Sequence, residues 1–278
     1  MAAIAHKRIA DAAKNLAQSL SPGPGETACQ PGASFGIPAL DQHLNGGICT
    51  SALHEVRCSL ARDFACAAGF ALGLAAQFGK QGAKKFLWVI DPAASVDSGL
   101  PFPDGLNEHG IDPKRVIFVR PITLQDALWS ADQAAKCCDL SAVVFQVKGN
   151  PKPFDMTATR RLMLRARESG VLVCVLRQSG AEEASAAATR WHVEIMPSRA
   201  DADFEHGPGQ ARHAQTLERN RHGRTGQWTL VWNPESRAFE DGTSSLETTH
   251  RVHRIHASAH RPDRPVEMGQ VVDLERAS

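Results

Sequence analysis

The chain has 278 residues, of which 31 are lysine or arginine and 30 are aspartate or glutamate, so its formal net charge is +1. This length allows one substantial core with additional ends, or at most two small domains, and the near-neutral charge excludes a chain-wide basic field for nucleic acid. The sequence has no long apolar run and no basic-apolar-small leader, so we expect a cytoplasmic protein without a membrane span. Its seven cysteines form no CxxC pair, and no structural zinc site is expected.

Residues 1–24 are predicted to form an amphipathic helix followed by a linker. Apolar positions at helical spacing mark the stripe of this helix, and they are Ile9, Ala12, Ala13, Leu16 and Leu20. A Ser-Pro-Gly-Pro-Gly run then breaks the helix. Such a stripe is buried either against the chain's own core or against another subunit, and the sequence leaves both open.

Residues 34–240 alternate between strand-like and helical runs. Continuous apolar runs, typical of strands covered on both faces, lie at Leu53–Arg57, Phe86–Asp91, Arg115–Arg120, Ala142–Val147 and Val171–Gln178. Helical runs lie at Ala65–Gln77, Leu124–Cys138 and Thr157–Ser169. Thr123 is expected to cap the second of these helices, and Gly170 to end the third. The alternation predicts an α/β core with a mostly parallel central sheet.

The core is predicted to end in an antiparallel edge. Extended segments lie at His192–Met196, Gln215–Arg221 and Gln227–Asn233, and a turn around Gly223 joins the last two into a hairpin. In residues 241–278 hydrophobic side chains become sparse, which predicts a disordered tail. That tail carries a histidine group at His250, His253, His256 and His260. We interpret these histidines as solvated side chains and predict no metal site.

A strand, a turn and a helix stand where a phosphate-binding P-loop would be expected, but the residues of that loop are missing. The turn after Leu53–Arg57 consists of Cys58, Ser59, Leu60, Ala61, Arg62, Asp63 and Phe64. A GxxxxGK[ST] loop needs glycines to wrap the phosphates, a lysine for the outer phosphates and a hydroxyl for magnesium. Asp63 would also add negative charge beside a polyanion. We therefore expect no nucleotide cofactor.

A second glycine-lysine stretch, from Gly73 to Gln81, does not replace the missing loop. Five residues separate its glycines, and Gln81 stands where serine or threonine is required. The stretch also ends a predicted helix, whereas a P-loop precedes one. We expect Gly79 to be a helix C-cap.

Ordered motifs along the chain resemble a RecA-type core. The segment Phe35–Ile48, followed by Leu53-His54-Glu55-Val56, resembles the part of RecA proteins that leads into the Walker A strand. The resemblance continues at Trp88–Asp91, Val143–Gln146, Leu176–Gln178 and Thr216–Arg221. Among RecA relatives, His54-Glu55-Val56 and Ala67–Leu72 are most similar to ImuA, a family of bacterial damage-inducible mutagenesis proteins without a proper Walker A loop. The resemblance implies a RecA-like core at residues 34–240.

The departures from the RecA pattern agree with one another. Gln146 stands at the Walker B position, where RecA proteins have the aspartate that helps to hold magnesium. Ala93 stands where the glutamate that activates water is expected. Gln178 matches the glutamine that senses the γ-phosphate, but without a nucleotide it has nothing to sense. The resemblance therefore implies no catalytic residue and no ATP hydrolysis.

The resemblance also implies weak or no direct DNA binding. RecA-type proteins grip single strands with loops that here correspond to Lys148–Asp155 and Ser179–Ser185. The first loop is short and rich in proline, although Lys148, Lys152 and Phe154 could form a small platform for stacking and charge. The second loop is acidic and would repel phosphates.

A role as a docking module follows from the ImuA resemblance. It implies SOS-induced, error-prone translesion DNA synthesis with an ImuB-type inactive Y-family polymerase relative, an error-prone DnaE-type polymerase and RecA as a further contact. Candidate partner-binding residues are Ile9, Leu16, Arg219, Arg221 and Arg224. Arginines also cluster on the helix near residue 160 and on the final hairpin, at Arg160, Arg161, Arg165, Arg167, Arg212, Arg219, Arg221 and Arg224. Two alternatives remain open: a SulA-like inhibitor of cell division and a RecA-type ATPase with an unorthodox nucleotide site.

Overall fold

A sheet of nine strands organises the computed structural model, which describes residues 32–79, 85–197 and 211–243. The strands are β1 Leu53–Arg57, β2 Lys85–Ile90, β3 Val116–Val119, β4 Leu140–Lys148, β5 Leu172–Gln178, β6 Thr189–Met196, β7 Arg212–Asn220, β8 Gly226–Asn233 and β9 Ala238–Asp241. Their order is β3-β2-β4-β5-β1-β6-β7-β8-β9. The first six in this order pair in parallel, and β7, β8 and β9 are antiparallel. The predicted α/β class, with a mostly parallel sheet and an antiparallel edge, is confirmed.

Helices cover both faces of this sheet. They are α1 Pro38–His43, α2 Phe64–Phe78, α3 Pro92–Ser98, α4 Pro103–Glu108, α5 Leu124–Ala135 and α6 Met156–Ser169. One core lies on the α2 side of the sheet and includes Phe70, Trp88 and Trp191. The other lies under α5 and α6 and includes Phe145 and Phe154. Among the described residues, no helix has both the length and the apolar character needed to cross a bilayer.

Every predicted strand and helix of the core is present, with ends shifted by a few residues. Three helices were not predicted, α1, α3 and α4, which are six or seven residues long and begin at a proline. Helices of that length are too short to show a clear helical period. Strand β9, which ends at Asp241, was not predicted either. The predicted N-terminal helix, with Ile9 and Leu16, and residues 244–278 of the predicted tail lie outside the described residues.

Asp41 closes the loop that carries the RecA-like motif at the start of the core. Its Oδ1 accepts the Phe35 N–H at 2.8 Å, and its Oδ2 accepts the Gly36 N–H at 3.1 Å and the Ser34 hydroxyl at 2.6 Å. Gly36 has a φ of +81°, a region that favours glycine. The motif therefore fixes a turn, which leaves the neighbouring Leu40 fully buried.

Packing and capping explain the second glycine-lysine stretch. A Cβ on Gly73 would lie 2.4 Å from the Phe239 ring, so this glycine allows α2 to pack against β9. Gly79 caps α2 through its N–H, which donates to the Ala75 carbonyl at 3.0 Å. The predicted C-cap at Gly79 is confirmed. The predicted caps of α5 and α6, Thr123 and Gly170, are confirmed as well.

Candidate functional site

The turn after β1 is held to its neighbours by backbone hydrogen bonds. Only Cys58, Ser59 and Leu60 separate β1 from a 3-10 turn at Ala61–Asp63, after which α2 begins. The Cys58 N–H donates to the Arg177 carbonyl at 3.2 Å, and the Cys58 carbonyl accepts the Gly180 N–H at 3.1 Å. The backbone of this turn therefore binds the end of β5 and the loop that follows it.

Side chains of the same turn point in two directions. Cys58 and Asp63 are buried, and Phe64 packs partly buried against the core. Burial raises the pKa of the Cys58 thiol, and the Asp63 carboxylate accepts the Ile195 N–H at 3.2 Å. The others are exposed, and they are Ser59, Leu60, Ala61 and Arg62. Asp63 thus holds α2 to β6 rather than facing a bound anion.

The guanidinium of Arg57 crosses the carboxyl edge of the sheet above this turn. Its Nε donates to Glu218 of β7 at 2.8 Å, and its Nη2 pairs with the other oxygen of the same carboxylate. Its Nη1 donates to the Ser59 hydroxyl at 3.0 Å and to the Gly180 carbonyl at 3.1 Å. The pairing of β6 with β7 shifts register next to Glu218. This β-bulge redirects the Glu218 side chain, so that it can pair with Arg57.

A buried ion network lies next to Arg57, at the junction of β1, β5 and β6. Glu55 pairs with Arg177 through Oε1 and with Arg190 through Oε2, the latter at 3.3 Å. The Ser185 hydroxyl donates to Glu55 Oε2 at 2.7 Å. All three charged side chains are at most 3% exposed. Charged groups buried to this degree need partners, since an unpaired ion is costly inside a protein.

The electrostatics of Glu55 favour its charged form. Burial by itself would raise the pKa of this carboxyl, but Arg177, the Ser185 hydroxyl and Arg190 together outweigh that effect. The pKa of Glu55 is therefore below its ordinary value. The network is thus an ionised cluster at neutral pH.

The loop after β5 is held over the network by its two glutamates. Glu182 pairs with Arg190 Nη1 at 3.1 Å, and Glu183 pairs with Arg177 Nη1 at 3.6 Å. Asn150, from the loop after β4, donates to Glu183 Oε2 at 2.8 Å. Both carboxylates of this acidic loop are therefore paired with arginines of the network.

Phe154 does not form the stacking platform expected in the loop after β4. The side chain is buried, packs edge-on against Phe145 with ring centroids 5.4 Å apart, and lies under the Arg177 guanidinium at 4.7 Å. Lys148 pairs with Asp97 at 2.5 Å. Phe154 is therefore a core residue that supports the ion network, and this part of the prediction is wrong.

The Walker B position is filled by a buried amide with partners of its own. Gln146 donates from Nε2 to the Ser98 hydroxyl at 2.7 Å and accepts the Trp88 indole N–H at 3.1 Å. Asp91 nearby caps α3 and accepts the Lys148 N–H at 3.3 Å. Gln178 is also buried, and its Oε1 has no hydrogen-bond partner among the described residues.

His54 has a structural role on the opposite face of β1 from Glu55. Its Nε2–H donates to the Cys49 carbonyl at 2.7 Å, so its Nδ1 accepts the Thr189 hydroxyl at 2.8 Å. Thr189 in turn accepts the Trp191 indole N–H at 2.9 Å. Desolvation lowers the pKa of His54 to about 4, against the weaker raising effect of its bond to Cys49. The imidazole is therefore neutral at physiological pH.

Ser59 and His192 form a pair that resembles part of a hydrolytic triad. The Ser59 Oγ lies 3.0 Å from His192 Nε2, but His192 Nδ1 lies 4.0 Å from Glu194, beyond hydrogen-bonding distance. The Arg57 guanidinium also donates to the Ser59 oxygen. This pair therefore lacks the oriented base of a nucleophilic site.

The predicted partner-binding arginines lie at one end of the β7–β8 hairpin. Arg219 donates to the Ser185 carbonyl and so contacts the loop above the network. Arg221 and Arg224 are exposed, and the Arg224 N–H donates to the His43 carbonyl at 2.9 Å. Arg221 adjoins α6, whereas Arg212 lies at the other end of β7 and contacts Gly242.

No family model matches the chain, and no curated protein matches it. Among solved structures, the chain is similar to one described as "Crystal structure of the RadB recombinase", with 16% sequence identity and a TM-score of 0.48. The match covers 75% of this chain and 98% of that chain. A likeness of this degree says nothing about the activity or the partners of the present chain.

Proposed function

We propose that this chain is a non-catalytic RecA-like accessory protein of SOS-induced, error-prone translesion DNA synthesis. In this proposal it is a docking module that joins an ImuB-type inactive Y-family polymerase relative and an error-prone DnaE-type polymerase, with RecA as a further contact. Its support is the ordered set of RecA-type motifs, the ImuA resemblance of His54-Glu55-Val56, and one structural observation. The turn where a RecA-type protein would hold phosphates is hydrogen-bonded to the end of β5 and to the loop that follows it.

Buried arginines beside this turn are engaged by carboxylates. Arg57 pairs with Glu218, and Arg177 and Arg190 both pair with Glu55. The amide of Cys58 is bonded to β5, and no glycine nest precedes α2.

The ImuA-like residues His54 and Glu55 take part in this closure. Glu55 anchors the two arginines that hold the loop after β5, and His54 links β1 to β6 through Thr189. Breaking a buried pair of this kind costs about 3–5 kcal/mol. The motif therefore supports a closed and rigid carboxyl edge of the sheet. Such an edge suits a docking module better than an ATPase, which must bind and release nucleotide there.

Direct binding to the proposed partners tests the function. The full-length chain is mixed with purified ImuB-type and DnaE-type subunits of the same bacterium, and complexes are resolved by size-exclusion chromatography. Co-elution with either subunit, but not with FtsZ, is the expected result. Co-elution with FtsZ alone would replace this proposal with a SulA-like inhibitor of cell division. Magnesium-dependent ATP turnover by the pure chain would replace it with an ATPase.

A further inference from the structure

Arginines from two distant parts of the sequence meet beside α6. Arg160 and Arg167 come from the helix itself, whereas Arg219 and Arg221 come from the end of β7 and the turn after it. The pKa of Arg221 is lowered, first because partial burial desolvates its guanidinium and then because Arg219, Arg167 and Arg160 repel it. These three neighbours of Arg221 are all positively charged.

A cavity of about 320 Å³ opens between these elements, and we call it the α6 cavity. Its walls include Met156, Met163 and Leu164, and Arg160, Arg167 and Arg221 line it as well. Met163 is buried and its sulfur accepts the Leu53 N–H at 3.2 Å, which fixes one wall to β1. The cavity is thus a mainly apolar recess bordered by cations.

Two of the apolar side chains at this recess are exposed to solvent. Met156 is 43% exposed and Leu164 is 49% exposed. Apolar side chains grouped at a recess mark a binding surface more often than scattered ones do, and methionine adapts its shape to different partners. The recess therefore offers apolar contact area that the described part of the chain leaves uncovered.

Three of the surrounding arginines have no acidic partner in the part of the chain that the structure describes. Within the described residues, Arg160, Arg167 and Arg221 form no ion pair, and the buried Nε of Arg167 has no hydrogen-bond partner. Arg165 on the same helix differs, because it pairs with Glu168 at 2.9 Å and approaches Asp132 at 3.9 Å. A cluster of unpaired like charges is unfavourable by itself, and a bound anion would relieve the repulsion.

We infer that the α6 cavity is a docking site for an acidic, partly apolar segment of a partner protein. One apolar side chain of that segment enters the recess beside Met163, and flanking carboxylates pair with Arg160, Arg167 and Arg221. Arginine suits this task because its fork-shaped donors match a carboxylate and because it is enriched at interface hot spots. The inference rests on the docking function proposed above and names the surface that performs it.

The lining of the recess favours a peptide over a nucleic acid. Proteins that bind single-stranded nucleic acid stack the bases on aromatic rings, and the residues that line the α6 cavity include no aromatic side chain. Aliphatic and thioether walls instead fit the side chains of leucine, methionine or phenylalanine. The arginines would attract either kind of ligand, since both are negatively charged, so the apolar walls decide the choice.

A random-peptide display library, selected on the full-length chain, tests the inference. Counter-selection uses the double variant Arg160→Glu/Arg221→Glu, and enriched peptides are synthesised with a fluorescent label for anisotropy titrations. The control variant is Arg161→Glu, since Arg161 is exposed on the same helix but lines a separate recess with Asp132 and Asp155. Circular dichroism and thermal unfolding verify that each variant is folded. A second variant, Leu164→Ser, tests the apolar wall.

The expected peptides carry carboxylates on both sides of an apolar residue. They should bind the Arg161→Glu control as tightly as the unmodified chain, and bind the double variant at least about tenfold more weakly, the loss of a few paired charges. The Leu164→Ser variant should weaken the same peptides. Selected peptides without an acidic excess, or equal binding to the double variant, would overturn the inference.

Two further probes distinguish other occupants of the α6 cavity. Binding of a labelled oligothymidine that depends on Arg160 and Arg221, without peptide binding, would assign the surface to nucleic acid instead. Binding by a synthetic peptide of residues 244–278 alone would assign it to this chain's own tail. Failure of peptide binding while the polymerase subunits still co-elute would reject only this surface. Peptide binding without co-elution of either polymerase subunit would reject only the proposed mutagenesis partners.

Discussion

At the scale of single residues, Glu55 is the carboxylate on which the closed edge of the sheet depends. Glu55→Gln would leave Arg177 and Arg190 buried without their shared partner, so we expect the free energy of unfolding to fall by about 3–5 kcal/mol. The matched control is Glu182→Gln, because Glu182 also pairs with Arg190 but is 64% exposed. Because solvent screens the exposed Glu182 carboxylate and Arg190 keeps Glu55, we expect this control to lose only about 1 kcal/mol. Urea unfolding of both variants measures the difference, and equal losses would contradict the assigned role of Glu55.

His54 gives the stability of the protein a predictable pH dependence. Its pKa is about 4 in the folded chain and 6.5 when unperturbed, so the unfolded state binds the extra proton between these values. The stability contributed by neutral His54 is therefore fully present above pH 6.5 and is lost as the pH falls toward 4. The pKa of His213 is also lowered to about 4, by desolvation and by His109, and acts in the same direction.

Replacing His54 should reduce this pH dependence. In His54→Gln, we expect the fall in unfolding free energy between pH 6.5 and 4.5 to shrink by up to about 1.4 kcal/mol per pH unit, the value of one bound proton. His222→Gln is the control, since His222 is exposed on the hairpin turn. Chemical unfolding at several pH values provides the measurement. An unchanged slope in His54→Gln would show that the buried imidazole does not titrate as described.

At the scale of elements, the contact of α2 with β8 and β9 depends on the absence of a side chain at Gly73. A Cβ there would lie 2.4 Å from Phe239 and 3.0 Å from Trp232, so Gly73→Ala should destabilise the protein by about 1–3 kcal/mol. Gly105→Ala in α4 is the matched control, because nothing lies within 4 Å of its added Cβ. That change should be neutral or stabilising by up to about 1 kcal/mol. Denaturant midpoints of the two variants should therefore move in different directions, and a shared direction would refute the packing argument.

The sequence predicted long elements better than short ones. Continuous apolar runs identified the strands of the parallel sheet, because burial on both faces leaves a strong local pattern. The short helices α1, α3 and α4 leave no such pattern, and their starting prolines are equally common in turns. The Phe154 prediction was wrong for a related reason: a phenylalanine in a loop looks exposed until the core beneath it is known.

The ion network shows what sequence reasoning missed at the site. Glu55 lies more than a hundred residues before Arg177 and Arg190 in the sequence. The sequence also does not specify that β1 pairs with β5 and β6, the strands that carry these arginines. A signal was nevertheless present, since Glu55 and Arg177 interrupt apolar runs that were predicted to be covered on both faces. Charged residues in such strands must pair with each other.

At the scale of the whole molecule, the network links β1, β5, β6 and the loops above them into a closed edge of the sheet. This closed edge predicts how the stability of the protein responds to nucleotide. A ligand present at a hundred times its dissociation constant would raise the unfolding free energy by about 2.7 kcal/mol, which shifts the melting temperature by several degrees. We expect no such shift with millimolar ATP and magnesium, because Arg57, Arg177 and Arg190 are already paired with carboxylates and the turn after β1 lacks the glycines and the lysine of a P-loop. Differential scanning fluorimetry of the full-length chain, with and without magnesium, provides the measurement. A magnesium-dependent rise that disappears in Gln146→Ala would contradict the closed-edge account, whereas an equal rise with any polyanion would indicate surface charge instead.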